Sequence, residues 1–200
     1  MIIEWPDYCV SSFRWSSAEQ AIVFKSMFGS QALGVASPLW QVEMTGVPTL
    51  WPASNEIETF IESIRGYTNQ IALWNLAQPV PRGTMRGTLR LVGQELLGST
   101  SLQITGGAAG STLLKGDLLG LGSTITQQVV RVMADATADG SGNISVTIGT
   151  PLRNTFPAAT PIIWNKPKAL FRQATLADGI QYQPKFGQPW AMSLLESWLP

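Results

Sequence analysis

Apolar and polar residues alternate along the first stretch of the chain. Val10-Ser11-Ser12-Phe13-Arg14-Trp15 sets Phe13 and Trp15 on one face and Ser12 and Arg14 on the other. A period of two marks a half-buried strand. Ala21-Ile22-Val23-Phe24 reads as a second strand, although Ala18 to Lys25 also fits a helical turn. Trp40, Val42 and Met44 alternate with Gln41, Glu43 and Thr45, which predicts a third. Pro48 and Pro52 then mark a turn or an edge connection, because proline cannot donate to a ladder.

The period changes after Asn55. Ile57, Phe60, Ile61 and Ile64 fall at i, i+3, i+4 and i+7, one apolar stripe. The spacing predicts a helix over 56–65, with Asn55 as its cap and Glu58 as capping-box partner. Arg65 suits the carbonyl end of the dipole, and Gly66 the left-handed stop. Ile71-Ala72-Leu73-Trp74 returns to a strand.

Pro79 and Pro81 mark a boundary. Beyond them, strands are expected at 88–92, 101–104, 118–121, 126–133 and 143–148. Gly106-Gly107, Gly116-Asp117, Gly122-Ser123 and Asp139-Gly140-Ser141-Gly142 separate them as turns. Short strands so punctuated read as a small barrel or sandwich. Strands at Ile162-Ile163-Trp164, Ala169-Leu170-Phe171 and 190–195 end the chain.

The large rings sharpen the division. The chain has eight Trp, seven Phe and three Tyr, and none lies between Asn75 and Thr155. Aromatics dominate core energetics, so this distribution implies two cores. Residues 1–81 and 152–200 would share an aromatic one. Residues 82–151 would build their own from Leu, Ile and Val, as a domain inserted into a loop of the first.

Charged residues are 13% of the chain, against about 25% typically. Partners covering much of the surface would explain that economy. Net charge is zero, and Arg82, Arg86 and Arg90 lack interleaved aromatics, so no nucleic-acid face is expected. Cys9 stands alone, which fits a reducing compartment. Met1-Ile2-Ile3-Glu4-Trp5-Pro6-Asp7 lacks the basic and apolar regions of a secretory signal. A soluble protein made in the cytoplasm is expected.

Histidine is absent. That removes the commonest general base, the Ser-His-Asp and Cys-His arrangements, and the commonest metal ligand. Carboxylate pairs drawn from Glu95, Asp117, Asp135, Asp139 and Asp178 would permit glycosidase-like acid–base chemistry, but no spacing favours any pair. Asp135-Ala136-Thr137-Ala138-Asp139-Gly140 resembles the start of a calcium loop, whose twelfth position wants an acid. Here that position is Val146, so a hairpin turn is expected. Gly116 to Gly122 lacks the order of a nucleotide-binding loop. No catalytic, cofactor-binding or metal-binding residue is expected, and no cofactor. Trp190 and Trp198 are the candidates for exposed ring contacts, with a sugar or a neighbouring subunit. Trp15, Trp40 and Trp74 sit in alternating contexts that favour burial.

Several segments together resemble a known family. They are the helix ending in Arg65-Gly66-Tyr67, the strand Ile71-Ala72-Leu73-Trp74, Pro81-Arg82-Gly83, and Leu114-Lys115-Gly116-Asp117-Leu118. Ala134 to Gly142, Pro151-Leu152-Arg153, and Lys166-Pro167-Lys168-Ala169-Leu170-Phe171-Arg172 complete the set. The chain resembles the distal tail or minor tail proteins of long-tailed (siphophage-type) bacteriophages, most clearly from 55 to 172. The resemblance implies a mainly-β virion protein, in which a tail-tube-like β-sandwich carries one helix. It also implies a ring, usually a hexamer, at the tail tip. The ring would continue the tail tube, join it to the hub and receptor-binding apparatus of the baseplate, and leave a lumen open for DNA. No large carbohydrate-binding extension is evident, which favours a connector. A carbohydrate-binding module and a carboxylate-pair hydrolase are the alternatives.

Overall fold

The computed structural model describes residues 1–18, 21–34, 38–175, 182–183, 186–187 and 189–198. The order begins β1 (Ile2–Glu4), β2 (Val10–Ala18), β3 (Ala21–Ser26), β4 (Gly29–Gly34), β5 (Leu39–Gly46), β6 (Thr49–Leu50), α1 (Ala53–Ile64) and β7 (Gln70–Trp74). It continues with β8 (Arg90–Leu91), β9 (Ser101–Thr105), β10 (Thr112–Leu113), β11 (Leu118–Leu121), a 3-10 turn (Thr124–Thr126), β12 (Gln128–Arg131), β13 (Ala136–Thr137), β14 (Ile144–Thr147) and β15 (Ile162–Ile163). Last come β16 (Lys168–Gln173), β17 (Tyr182–Gln183), β18 (Phe186–Gly187) and β19 (Ala191–Glu196). The protein is mainly β, with one α-helix among the described residues.

Packing divides the chain into two compact units. One comprises Met1–Leu73 and Leu170–Ser197, the other Trp74–Ala169 with Trp198–Pro200. The first is organised by a six-stranded sheet in the order β1-β7-β16-β19-β5-β2. Rings from both ends of the chain meet there. Trp5 lies 5.4 Å from Phe60 and 5.8 Å from Trp190 between centroids. Trp15 lies 5.7 Å from Trp40 and 5.2 Å from Phe171. Each pair adds about 0.5–1.5 kcal/mol beyond its burial. The buried Glu196 carboxylate accepts the Trp40 backbone N–H at 2.9 Å.

The helix departs from expectation at both ends. It begins at Ala53 rather than 56, with Pro52 at the cap position and no side-chain cap bond. Asn55 lies inside the first turn, its N–H bonded to Pro52 O at 2.9 Å. Pro52 already lies in the right-handed helical region, at φ −94° and ψ −4°, and leads into the helix without a capping side chain. Arg65 turns left-handed first, at φ 52°, so it lies beyond the last turn, and Gly66 follows left-handed as expected, at φ 61°. The stripe survives in Ile57, Phe60 and Ile64, all buried with Ser54.

The second unit has an aliphatic core built by Met85, Leu89, Leu91, Leu102, Ile104 and their neighbours. That core was expected to end at 151 and to hold no ring. Instead Leu152, Phe156 and Ile162 are buried within it, and Trp164 packs against it. β15 also pairs with β11, Leu121 opposite Ile162. Residues 152–169 therefore belong to this unit, as do 74–81. The prolines that looked like boundaries lie in irregular segments inside it, and the Phe156 ring is part of its core. Its ladders are β12-β11-β15, β14-β9-β8 and β10-β13. These ladders close no barrel among the described residues. Isolated bridges pair Arg90 with Pro161, Glu95 with Phe156 and Val132 with Ile148.

Candidate interaction surface

Four of the residues singled out for chemistry are occupied locally. Asp117 is wholly buried and accepts backbone N–H groups of Arg82 (2.8 Å), Gly83 (3.1 Å) and Leu114 (2.8 Å). Asp135 accepts Lys115 N–H at 2.7 Å. Glu95 accepts from Gln103 N at 3.1 Å and Ser99 Oγ at 3.3 Å. Asp139 closes its own turn by accepting Ser141 and Asn143 N–H groups at 2.8 and 2.9 Å. Those bonds, from Asn143 first, hold its carboxyl below the ordinary Asp range. Asp178 lies outside the described residues. Among the described residues no group of three or more His, Cys, Asp or Glu side chains is placed to hold a metal ion. The calcium-like loop runs into β14, where Val146 is buried.

The basic residues serve structure. Arg86 lies 5.0 Å over the Trp164 ring and donates to Gly83 O and Pro81 O. Lys166 lies 4.5 Å over the Trp74 ring. A groove of about 380 Å³ beside it is lined by Gln127, Ile163, Asn165 and Lys168 among others, with no carboxylate. Trp40 and Trp74 are buried as expected, and Trp15 is half-buried. Trp190 is a correction: it was expected to be exposed, but it is buried, packed on Trp5. Trp198 keeps partial exposure. Cys9 is exposed and free.

The unsatisfied surface lies elsewhere, in β3 and β4. The Ala21–Phe24 segment is a strand, not a helical turn. It pairs with β4 from Ala21 opposite Gly34 to Ser26 opposite Gly29. Among the described residues this two-stranded sheet pairs with nothing else. It forms an arm carried between β2 and β5, which are themselves paired from Ser12 opposite Thr45 to Ala18 opposite Leu39. Met27 and Phe28 make the turn and are 91% and 95% exposed. Val23 and Phe24 are also more than half exposed. Successive strand residues point to opposite faces, so at Val23 and Phe24 neither face of the arm is covered. An isolated two-stranded hairpin is marginal in water, and one with bare Phe and Met needs a cover.

The β2 edge of the six-stranded sheet has no strand on its outer side among the described residues, where β2 pairs only with β5. Its single charge, Arg14, is drawn to Glu43 of β5 at 3.5 Å. Edges in monomers are normally guarded by lysines, prolines or bulges. Here a register shift between Val10 and Ser12 guards only one end. A second exposed apolar patch in this unit is Leu50 and Trp51, immediately before α1.

Sequence reasoning missed the arm as a site. Its signal was Val23, Phe24, Met27 and Phe28 around a single charge, Lys25, with no acid from 21 to 34. Such a run reads equally as core, and only the absence of an opposing element distinguishes the two. No protein-family model matches the chain, and the search of curated proteins finds no significant match.

Proposed function

We propose that the chain is a structural virion protein without enzymatic activity. It forms a homo-oligomeric ring at the distal end of a bacteriophage tail, links the tail tube to the hub and receptor-binding apparatus, and leaves the lumen open for DNA. The arm at 21–34 is the observation that carries the assembly part of this reading, because its exposed rings fit an oligomer better than a free monomer. The tail assignment draws on the sequence resemblance, and the mainly-β fold, with one α-helix among the described residues, is consistent with it.

The finer architecture follows the same reading. The first unit is a tail-tube-like β-sandwich, with the six-stranded sheet as one layer and β17-β18-β6 as part of another. The second is a small barrel-like module. In support, the bridge of Arg90 with Pro161 links the β8 and β15 ladders, and that of Val132 with Ile148 links β12 to the end of β14. Backbone bonds reinforce both junctions, Ile162 N to Leu89 O at 2.9 Å and Met133 N to Thr147 O at 2.9 Å.

Sizing by light scattering, with negative-stain imaging, tests the function. Rings are expected for the full chain, alone or with its tail partners. A strictly monomeric species under both conditions refutes the reading.

A further inference from the structure

The geometry points to a particular ring contact: the arm of one copy seats on the Leu50–Trp51 corner, at the start of α1, of the next copy. This inference rests on the ring reading.

The first argument is area. Met27 and Phe28 are almost wholly exposed, and Val23 more than half. Together they offer on the order of 500 Å² of apolar surface, against about 800 Å² per partner in a standard interface. One further contact, such as a few residues of the open β2 edge, completes it. The second argument is chemistry. Val23 and Lys25 are two apart on β3 and share a face. Lys25 is the only charge from 21 to 34. The corner offers the matching set: Leu50 and Trp51 are more than half exposed, and Glu56 follows in the first turn of the helix. From Ala53 to Ile64 the helix carries three acids and no base. Apolar groups would meet apolar groups, and a lone cation would meet an acidic helix start. The third argument is symmetry. The two patches are different surfaces of one unit, so joining them is heterologous and propagates from copy to copy, as a ring requires. Zero net charge removes bulk repulsion between copies.

The test places a benzoyl-phenylalanine crosslinker at Phe28, which preserves the ring, in a mixture of isotopically light and heavy full-length chains. Irradiation is expected to join position 28 to a peptide spanning Leu50 to Glu56 across the two labels. Lys25→Glu is expected to raise the concentration at which rings assemble, about two- to fivefold per contact. Adding Glu56→Lys is expected to restore it. Rings whose crosslinks land on another surface, or only within one chain, overturn the arm contact and leave the ring reading standing. Crosslinks that form only with phosphatidylglycerol vesicles or a different tail protein also overturn it. Monomers under every condition overturn both.

Discussion

Replacing Asp117 by Asn exchanges one oxygen for an amino group in a site that holds only donors. In the protein, Oδ1 accepts from Arg82 N at 2.8 Å and Gln78 Nε2 at 3.2 Å. Oδ2 accepts from Leu114 N at 2.8 Å and Gly83 N at 3.1 Å. The four bonds tie the segment at 78–83 to the turn at 114–117. Whichever way an Asn amide is turned, its NH2 faces two N–H groups. Two accepted bonds are lost and donors are set against donors. At about 1–3 kcal/mol for each buried group left unpaired, Asp117→Asn costs roughly 2–6 kcal/mol despite being isosteric. Asp117→Ala strands more donors and costs at least as much. The Arg82 guanidinium is 3.8 Å from Oδ1 but largely exposed, so truncating its side chain costs under about 1 kcal/mol. Urea unfolding followed by circular dichroism gives the midpoints. Hydrogen exchange at Gly83 and Leu114 localises the loss. An Asn variant within about 1 kcal/mol of the parent, with both amides still protected, refutes the reasoning.

Four further outcomes follow from the packing and hydrogen bonding. Phe156→Ala should cost about 3–5 kcal/mol in urea unfolding, the range for a buried ring. A fragment of residues 74–169 should unfold cooperatively where one of 82–151, lacking Phe156 and Ile162, does not. Gly46→Ala should destabilise by about 1–3 kcal/mol, because a Cβ there meets the Trp190 indole; Trp190→Leu in the same chain should recover part of the loss in a melting experiment. Asp139 should titrate below its ordinary value of 3.8 because backbone N–H groups favour the carboxylate. Its contribution is therefore present above that value and lost as pH falls through the lowered folded-state value. An NMR titration checks this, and Asp139→Asn should flatten that part of the acid limb.

Much of the fold was legible because local pattern and burial agree. Trp40, Val42 and Met44 alternate in sequence and are all buried in β5. Ile57, Phe60 and Ile64 recur at helical spacing and face inward. The helix start was misplaced because a proline at the cap position leaves no polar signature, while Asn55 imitates one. The second unit's limits were misplaced because prolines and an aromatic-free window are compositional marks. Whether Phe156 turns toward one core or another depends on a bridge to Glu95, sixty-one residues away in the numbering of the sequence.

Sequence alone determined the mainly-β character, the amphipathic stripe of Ile57, Phe60 and Ile64, and the absence of histidine, since each follows from residue type or from spacing along the chain. It did not determine which apolar residues are left bare. Trp190 and Phe28 look alike as large rings beside turns, yet one is buried against Trp5 and the other faces solvent. Exposure is a property of what arrives on the other side of a side chain: for Trp190 that is Trp5, from the other end of the chain, while Phe28 stays 95% exposed.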